Sequence, residues 1–348
     1  MEASASGEPK VPRVLFFPPF PRLRAQARAC TVRPHGCAGV SGPILRGPVL
    51  RVTQACWFRW MATRTRFGRA VASRFVAGEH LDDAVAAART VAQAGIGAML
   101  DHLGENVAAP EQAAAAANAY VRALDRIRDE GNLDCMVSVK LSQLGLDFSS
   151  ELCQSHLERV VDAATPAATV LMIDMESAAY VDRTVAIFRE LRERHDRVGV
   201  CLQSYLRRTP NDIESLPGAS IVRLVKGAYL EPPEVALPGR RDVDAAFARC
   251  FVRLLDLGHT VHLATHDPRL LEGARRHVER TGLPWSRVEF QMLYGVRRDL
   301  QARLARGGYP VRVYIPYGTE WYPYLTRRLA ERPANMWFFL SNLMRRGR

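Results

Sequence analysis

From residue 81 onward the apolar positions of this chain switch period repeatedly. Short β-branched and aliphatic runs, four to six residues long, alternate with stretches whose apolar residues recur every three or four positions. The short runs predict strands at Gly97–Asp101, Cys135–Lys140, Thr169–Asp174, Val198–Gln203, Ile221–Lys226, Thr260–Thr265, Val288–Gln291 and Val311–Ile315. The longer ones predict helices at Glu111–Arg128, Leu152–Ala164, Val181–Arg194, Asp242–Leu257, Pro268–Arg280 and Arg297–Arg306. An additional helix, Leu81–Ala94, precedes the first strand, and Trp321–Glu331 follows the last. Strict alternation of this kind signals βα units around a parallel sheet. Eight strands within about 250 residues match a (β/α)8 barrel. The link after the fourth strand offers little more than Asn211–Leu216 as a helix, so the α/β fold expected is a distorted (β/α)8 TIM-type barrel. An open doubly wound sheet would want a glycine-rich turn after an early strand, and LDHLGE from Leu100 is not one.

Composition narrows the class. The chain is 48% hydrophobic and 24% charged, as globular domains are. No apolar run approaches the ~18–20 residues of a membrane span, and no secretory signal peptide is evident. The net charge of +12 is unevenly placed: residues 1–75 carry 13 Lys and Arg against 2 acidic residues, leaving residues 76–348 close to neutral. A basic face for nucleic acid is therefore not expected on the domain. Seven scattered cysteines without a C-x-x-C pair fit a reducing compartment, with neither a disulfide framework nor a zinc site. H-x-H and H-E-x-x-H are absent too, so no metal is expected.

Residues 1–39 are rich in Pro, Arg, Ala and Gly and lack periodicity. They read as a disordered basic extension, either a targeting segment or translation upstream of the native start. Residues 40–80 are expected to form an N-terminal helical arm, and 81–348 the barrel.

In this fold the chemistry stands where strands end. The predicted C-terminal ends are Asp101, Lys140, Asp174, Gln203, Arg223 with Lys226, Thr265 with His266, Gln291, and Tyr314. Any one of these could simply mark where a loop begins, but the whole set is harder to dismiss. Lysine sharpens the point: the chain has 45 Arg and only 3 Lys, and two of those, Lys140 and Lys226, close strands. A compact ammonium in so arginine-biased a chain suggests a task that a guanidinium cannot do. Tyr324, Arg327 and Arg328 share one face of the last helix. A pair of guanidiniums can grip a carboxylate, although an arginine pair is more often a solvated face. Here Tyr317, Trp321 and Tyr322 crowd the same segment, which favours a pocket. A barrel lyase using Lys140 or Lys226 as a Schiff-base amine is the competing enzyme reading. A basic-arm binding protein is the non-enzymatic one.

The same segments carry a family resemblance. They are RFVAGEHLDDA from Arg74, LDHLGE from Leu100, VKLSQLGLD from Val139, IDME from Ile173, LQSYLRRT from Leu202, RLVKGAYLEPPEVA from Arg223, ATHDP from Ala264, FQMLYGVR from Phe290 and VYIPYGTEWYPYLTRRLAERPAN from Val313. Together they resemble proline dehydrogenase of the small monofunctional bacterial type, over nearly the whole of residues 74–345. RLVKGAY and YPYLTRRLAERP are the most specific. The resemblance implies an FAD enzyme that oxidises L-proline to Δ1-pyrroline-5-carboxylate by hydride transfer to flavin N5. It further implies electrons passed to a quinone, coupling to a pyrroline-5-carboxylate dehydrogenase, and a cytoplasmic protein able to lie peripherally on the membrane. On these positions it implies Asp174 and Arg223 as catalytic, with Arg327, Arg328 and Lys140 on the proline carboxylate. Tyr314 and Tyr324 would line the substrate ring, and Glu105 would pair with the arginines. Flavin contacts would come from Met175, Gln203, Arg223, Lys226, Gly227, Ala228, Thr265 and His266. Asp267 stands where many relatives have Asn. Arg223 and Lys226 lie three apart, so both can face the flavin only if the strand ends or bends before Gly227.

Overall fold

The computed structural model describes residues 72–331, with side chains described as far as Thr326. The expectations for residues 1–39 and for 40–71 of the arm lie outside these residues; of the arm's remainder, residues 72–75 are helical. The strands are β1 (Gly97–His102), β2 (Cys135–Val139), β3 (Leu171–Ile173), β4 (Val198–Gln203), β5 (Ile221–Val225), β6 (Thr260–Ala264), β7 (Val288–Leu293) and β8 (Val311–Tyr317). Each pairs in parallel with the next and β8 returns to β1, closing the barrel. Every predicted strand is present, with ends within two residues of those expected. Arg223 on β5 stands opposite Cys201 on β4 and His262 on β6.

The helices are α1 (Leu81–Ala92), α2 (Pro110–Glu130), α3 (Ser150–Ala164), α4 (Val181–Arg192), α5 (Thr209–Glu214), α6 (Arg240–Asp256), α7 (Pro268–Thr281), α8 (Arg298–Arg306) and α9 (Trp321–Glu331). Their limits follow from local chemistry. Ser149 caps α3 by accepting from the Leu152 N–H at 3.0 Å, and Asp267 caps α7 by accepting from the Arg269 N–H at 3.0 Å. Proline opens α2 and α7, where its missing N–H costs nothing. The outward residues of the strands, among them Leu100, Val137, Ile173, Val200, Leu224, Leu263, Phe290 and Val313, merge with the helices' inner faces into one continuous core. The expected distortion falls where the sequence placed it: α5 is a single short helix between β4 and β5, and Leu206, just ahead of it, forms an isolated antiparallel bridge with Ala236 in the loop after β5.

The ring departs from regularity at its seam. The helix packed outside β1 and β8 is α1, the element that precedes the barrel. In a regular (β/α)8 fold the helix after β8 takes that place. With the seam filled, α9 packs elsewhere: Trp321, Tyr324 and Leu325 join Ala72, Phe75, Val76 and Leu103 in a separate buried cluster. Leu103 immediately follows β1, so this cluster lies at the C-terminal end of the barrel. Backbone bonds pin the arrangement, from Ala77 N–H to Pro316 O at 2.8 Å and from Gly318 N–H to Gly78 O at 2.9 Å. The Trp321 indole also donates to Glu79 at 3.1 Å.

One glycine makes this docking possible. Gly295, in the turn after β7, has φ +73, and a Cβ there would lie 1.6 Å from the Arg74 carbonyl oxygen. Gly295→Ala is therefore expected to push residues 72–78 off the barrel and lower stability by ~1–3 kcal/mol from backbone strain alone, with the clash adding to it. Gly258, at φ +89 with nothing within 4 Å of its would-be Cβ, is the control. Denaturant unfolding should show Gly295→Ala to be the more damaging change; equal losses would contradict the docking role.

Candidate active site

Strand alternation sends every second side chain into the barrel. Met99, Met136 and Met172 form an inner cluster together with Tyr314. Around it stand polar groups: Asp101, Ser138, Lys140, Arg223, His262, Gln291 and Arg312 are all buried. Polar residues on a barrel's inner face are costly unless they satisfy one another, and here they do except at one oxygen of Asp101.

Asp174, just past β3, is the hub. Its Oδ1 accepts from the Arg223 guanidinium, and its Oδ2 accepts from the Tyr314 hydroxyl at 2.8 Å. The Lys140 ammonium lies 3.6 Å from the same oxygen and donates to Asp101 Oδ1 at 2.6 Å. Arg223 also donates to Ser138 Oγ at 3.2 Å and lies 5.2 Å over the Tyr314 ring. Two carboxylates thus meet two cations from β2 and β5. Burial pushes Asp174 up, but Arg223, Lys140 and the Ser138 and Tyr314 hydroxyls outweigh it and hold the carboxyl below the ordinary aspartate value. Burial likewise opposes the Lys140 ammonium, yet Asp101, Tyr314 and Asp174 keep its pKa well above that of free lysine. Burial, with Asp101 and Asp174 nearby, lifts the Tyr314 phenol well above its usual range. At neutral pH the set is Asp⁻, Lys⁺, Arg⁺ and neutral Tyr.

Gln203 closes β4 fully buried, its Nε2 donating to the Glu176 carbonyl at 3.2 Å. Its Oε1 has no hydrogen-bond partner among the described residues, and neither does Asp101 Oδ2. Met175 is buried beside it. Glu176 accepts from the Ser142 N–H at 2.9 Å and from the Ser142 hydroxyl, while burial raises its pKa. Thr265 Oγ1 accepts from the Asp267 N–H at 3.2 Å, and His266 Nε2 accepts from the Leu293 N–H at 3.0 Å.

The structure thus brings Asp174, Arg223, Lys140 and Tyr314 into direct contact, with Gln203 and Met175 adjoining. Lys226 is engaged elsewhere, by Asp244 of α6 at 2.5 Å and by Asp267 at 3.4 Å. β5 ends at Val225, and Gly227 takes φ +117 with its would-be Cβ 2.1 Å from the Tyr205 ring, so the chain turns where the sequence required. Ala228 continues that loop, and Glu105 is half-buried after β1. Tyr324 is buried in the α9 cluster. Arg327 and Arg328 lie in α9, but their side chains fall outside the described residues. Two strand-end residues, Asp101 and Gln291, carried no assigned role in the sequence, and Ser138, His262, Glu289 and Arg312 escaped notice altogether. Their signal was available: each is a polar residue at an inward position of an apolar strand.

The Lys140 geometry weighs against the Schiff-base alternative. An amine nucleophile must be neutral, whereas this one is held as an ammonium by a buried carboxylate.

Removing the hub carboxylate should be expensive. Asp174→Asn leaves Arg223 and Lys140 facing each other, and breaking a buried ion pair typically costs ~3–5 kcal/mol. The sign with pH follows from the depressed pKa. The contribution is complete above the ordinary aspartate pKa of about 3.9 and is lost as pH falls through the lower folded value. Unfolding of wild type and variant should therefore converge in acid; a gap independent of pH would contradict the ionised hub.

Comparison with known proteins agrees with this reading. Residues 84–340 match the family model for proline dehydrogenase. The chain is 37% identical over 290 residues to proline dehydrogenase 1 of Bacillus subtilis (strain 168), covering 82% of this chain and 96% of the relative. It is 38% identical over 281 residues to proline dehydrogenase of Deinococcus radiodurans, covering 79% and 90%. Among solved structures it is similar to proline utilization A (PutA) from Bdellovibrio bacteriovorus inactivated by N-propargylglycine. That likeness has a TM-score of 0.70 at 24% identity over 75% of this chain, but only 32% of the longer protein is spanned, and it speaks to the fold alone. A family model running through the whole barrel, and relatives matched along nearly their full length, leave one conclusion: this chain belongs to the proline dehydrogenase family.

Proposed function

We propose that this protein is an FAD-dependent enzyme that oxidises L-proline to Δ1-pyrroline-5-carboxylate, the first step of proline degradation. The observation that carries the reading is the charge-balanced Asp174–Arg223–Lys140–Tyr314 cluster inside the barrel, in a chain of this family. Proline presents a carboxylate, a secondary amine and an apolar ring, so it calls for cations beside an aromatic wall. Arg327 and Arg328, on one face of α9, together with Lys140, supply the cations. Tyr314 and Tyr324 supply the wall, and Glu105 the countercharge to the arginines.

The residues present also fit a flavin. Its uracil-like edge carries an N–H and carbonyls, and its reduced form is anionic. Gln203 Oε1 and Asp101 Oδ2 are buried acceptors without partners among the described residues, and Arg223 is a buried donor and cation. Met175, Gln203, Arg223, Gly227, Ala228, Thr265 and His266 would hold the cofactor, and Lys226 would join them on leaving Asp244 and Asp267. Bound there, it supplies the electron-pair acceptor for the hydride leaving proline C5, at N5 of the ring. The protein's own work is placement and charge: it orients C5, excludes water and stabilises negative charge with Arg223. Asp174, Lys140 and Tyr314 all keep their protons, or lack of them, through neutrality, so none is tuned as a general base. Proline arrives as a secondary ammonium, so one amine proton would leave to solvent to free the nitrogen lone pair, and the second would leave as the neutral C=N bond forms. We read a quinone as the final electron acceptor, a pyrroline-5-carboxylate dehydrogenase as the consumer of product, and a cytoplasmic location with peripheral membrane contact.

The decisive experiment is an absorbance spectrum of purified protein before and after anaerobic proline. Flavin bands that bleach with proline are expected; a colourless protein, or a yellow one that proline leaves unchanged, overturns the reading. Arg327→Ala should raise the proline Kd about a hundredfold or more, as loss of one buried charge partner does, while flavin stays bound. Titration of both ligands checks this, and equal weakening of the two would remove Arg327 from the substrate carboxylate.

A further inference from the structure

Beneath the hub a second polar chain runs from Arg223 down into the barrel, and beyond Arg223 the family reading uses none of it. Arg223 Nε donates to Gln291 Oε1 at 2.8 Å. The other end of that amide donates twice, from Nε2 to Glu289 Oε1 at 2.8 Å and to His262 Nδ1 at 2.9 Å. Glu289 is gripped by Arg312, Nε to Oε1 at 2.9 Å and Nη2 to Oε2 at 2.9 Å. Arg312 also reaches Asp134, ahead of β2, at 2.9 Å and the Ala98 carbonyl at 2.9 Å. Gln291, His262, Arg312 and Arg223 are each only 4% exposed.

Chemistry fixes the direction of this chain. A guanidinium only donates and a carboxylate only accepts, so the Gln291 oxygen must face Arg223 and its NH2 must face Glu289. His262 supports the same orientation: burial takes its pKa down to about 4, leaving a neutral ring whose Nδ1 can accept. A glutamine here bridges a cation to an anion without adding charge. Glutamate would set a second carboxylate against Glu289, and leucine would leave Arg223 Nε unsatisfied.

We infer that Gln291 is a positioning residue for the oxidation: it fixes the Arg223 guanidinium against Asp174 and couples its charge to the Glu289–Arg312 pair at the barrel floor. This rests on the flavin-dependent reading above, in which Arg223 stabilises negative charge on the reduced cofactor. The charged groups around the bridge are Arg223 and Asp174 above it, Glu289, Arg312 and Asp134 below it, and neutral His262 beside it.

The test is the reduction potential of bound flavin in three holoenzymes, measured at alkaline pH, together with proline kinetics. Gln291→Glu adds a negative charge next to Arg223 and should lower the potential. Glu289→Gln removes one and should raise it. Each shift is expected to be at least tenfold in the oxidised-to-reduced ratio, about 30 mV for a two-electron couple. The KM for proline should change less than about twofold in either variant, because the carboxylate grip is elsewhere, while kcat falls. A purely structural role would loosen the site in both variants and move the potential in one common direction. Shifts of the same sign, or none, overturn the inference. If Gln291→Glu does not fold, Glu289→Gln against wild type still decides, and the absence of a rise counts against the coupling. A wild-type protein that binds no flavin, or is not reduced by proline, instead sinks the functional reading itself and the inference with it.

Discussion

An ionised carboxylate inside a barrel is tolerable only when cations enter with it, and Asp174 sets that requirement for the whole interior. Arg223 from β5 and Lys140 from β2 answer it, and Asp101 in turn answers Lys140. These residues come from the middle of β5 and from the ends of β1, β2 and β3, so the balance exists only when the ring is closed in register. The electrostatic design and the topology are in this sense one constraint: a slipped strand would leave a buried charge alone, at a cost of several kcal/mol.

The same constraint explains why the interior is unusually polar yet tightly coupled. Most barrels of this type fill their centre with branched aliphatic side chains. Here Met99, Met136 and Met172 provide a soft apolar layer, and the Arg223–Gln291–Glu289–Arg312 chain passes through it from mouth to floor. Methionine suits that place because an unbranched thioether adapts to irregular polar neighbours. The result is a cation at the mouth whose position is set by contacts far below it.

The architecture at the seam serves the other half of the site. Because α1 packs against β1 and β8, α9 can dock instead on Phe75, Val76 and Leu103 at the C-terminal end of the barrel. A helix carrying two arginines is thereby placed on the catalytic side rather than in the outer ring. The close approach of Gly295 to Arg74 ties the N-terminal segment into the same assembly.

The fold was legible in the sequence because period-2 and period-3.6 patterns are local, and all eight strands fall within two residues of where those patterns end. Asp174 and Lys140 were legible as well, since polar residues closing apolar strands project where this fold does its chemistry; Arg223 and Tyr314, expected at strand ends, stand instead at the middle of β5 and β8. Pairing was not. Nothing local says that Lys140 meets Asp101, that Lys226 turns away to Asp244 and Asp267, or that Gln291 bridges Arg223 to Glu289. Apart from Gln291 and Glu289, two positions apart on β7, these partners are separated by 18 to 68 residues along the chain. The helical reading of Trp321–Glu331 likewise held, but its place on the C-terminal face depended on α1 having taken the seam. Sequence by itself determined which residues form strands and helices and which polar groups stand at their ends, because those follow from neighbours a few positions away. Tertiary structure alone decided which charges neutralise which, because barrel closure, not proximity along the chain, brings them within hydrogen-bonding distance.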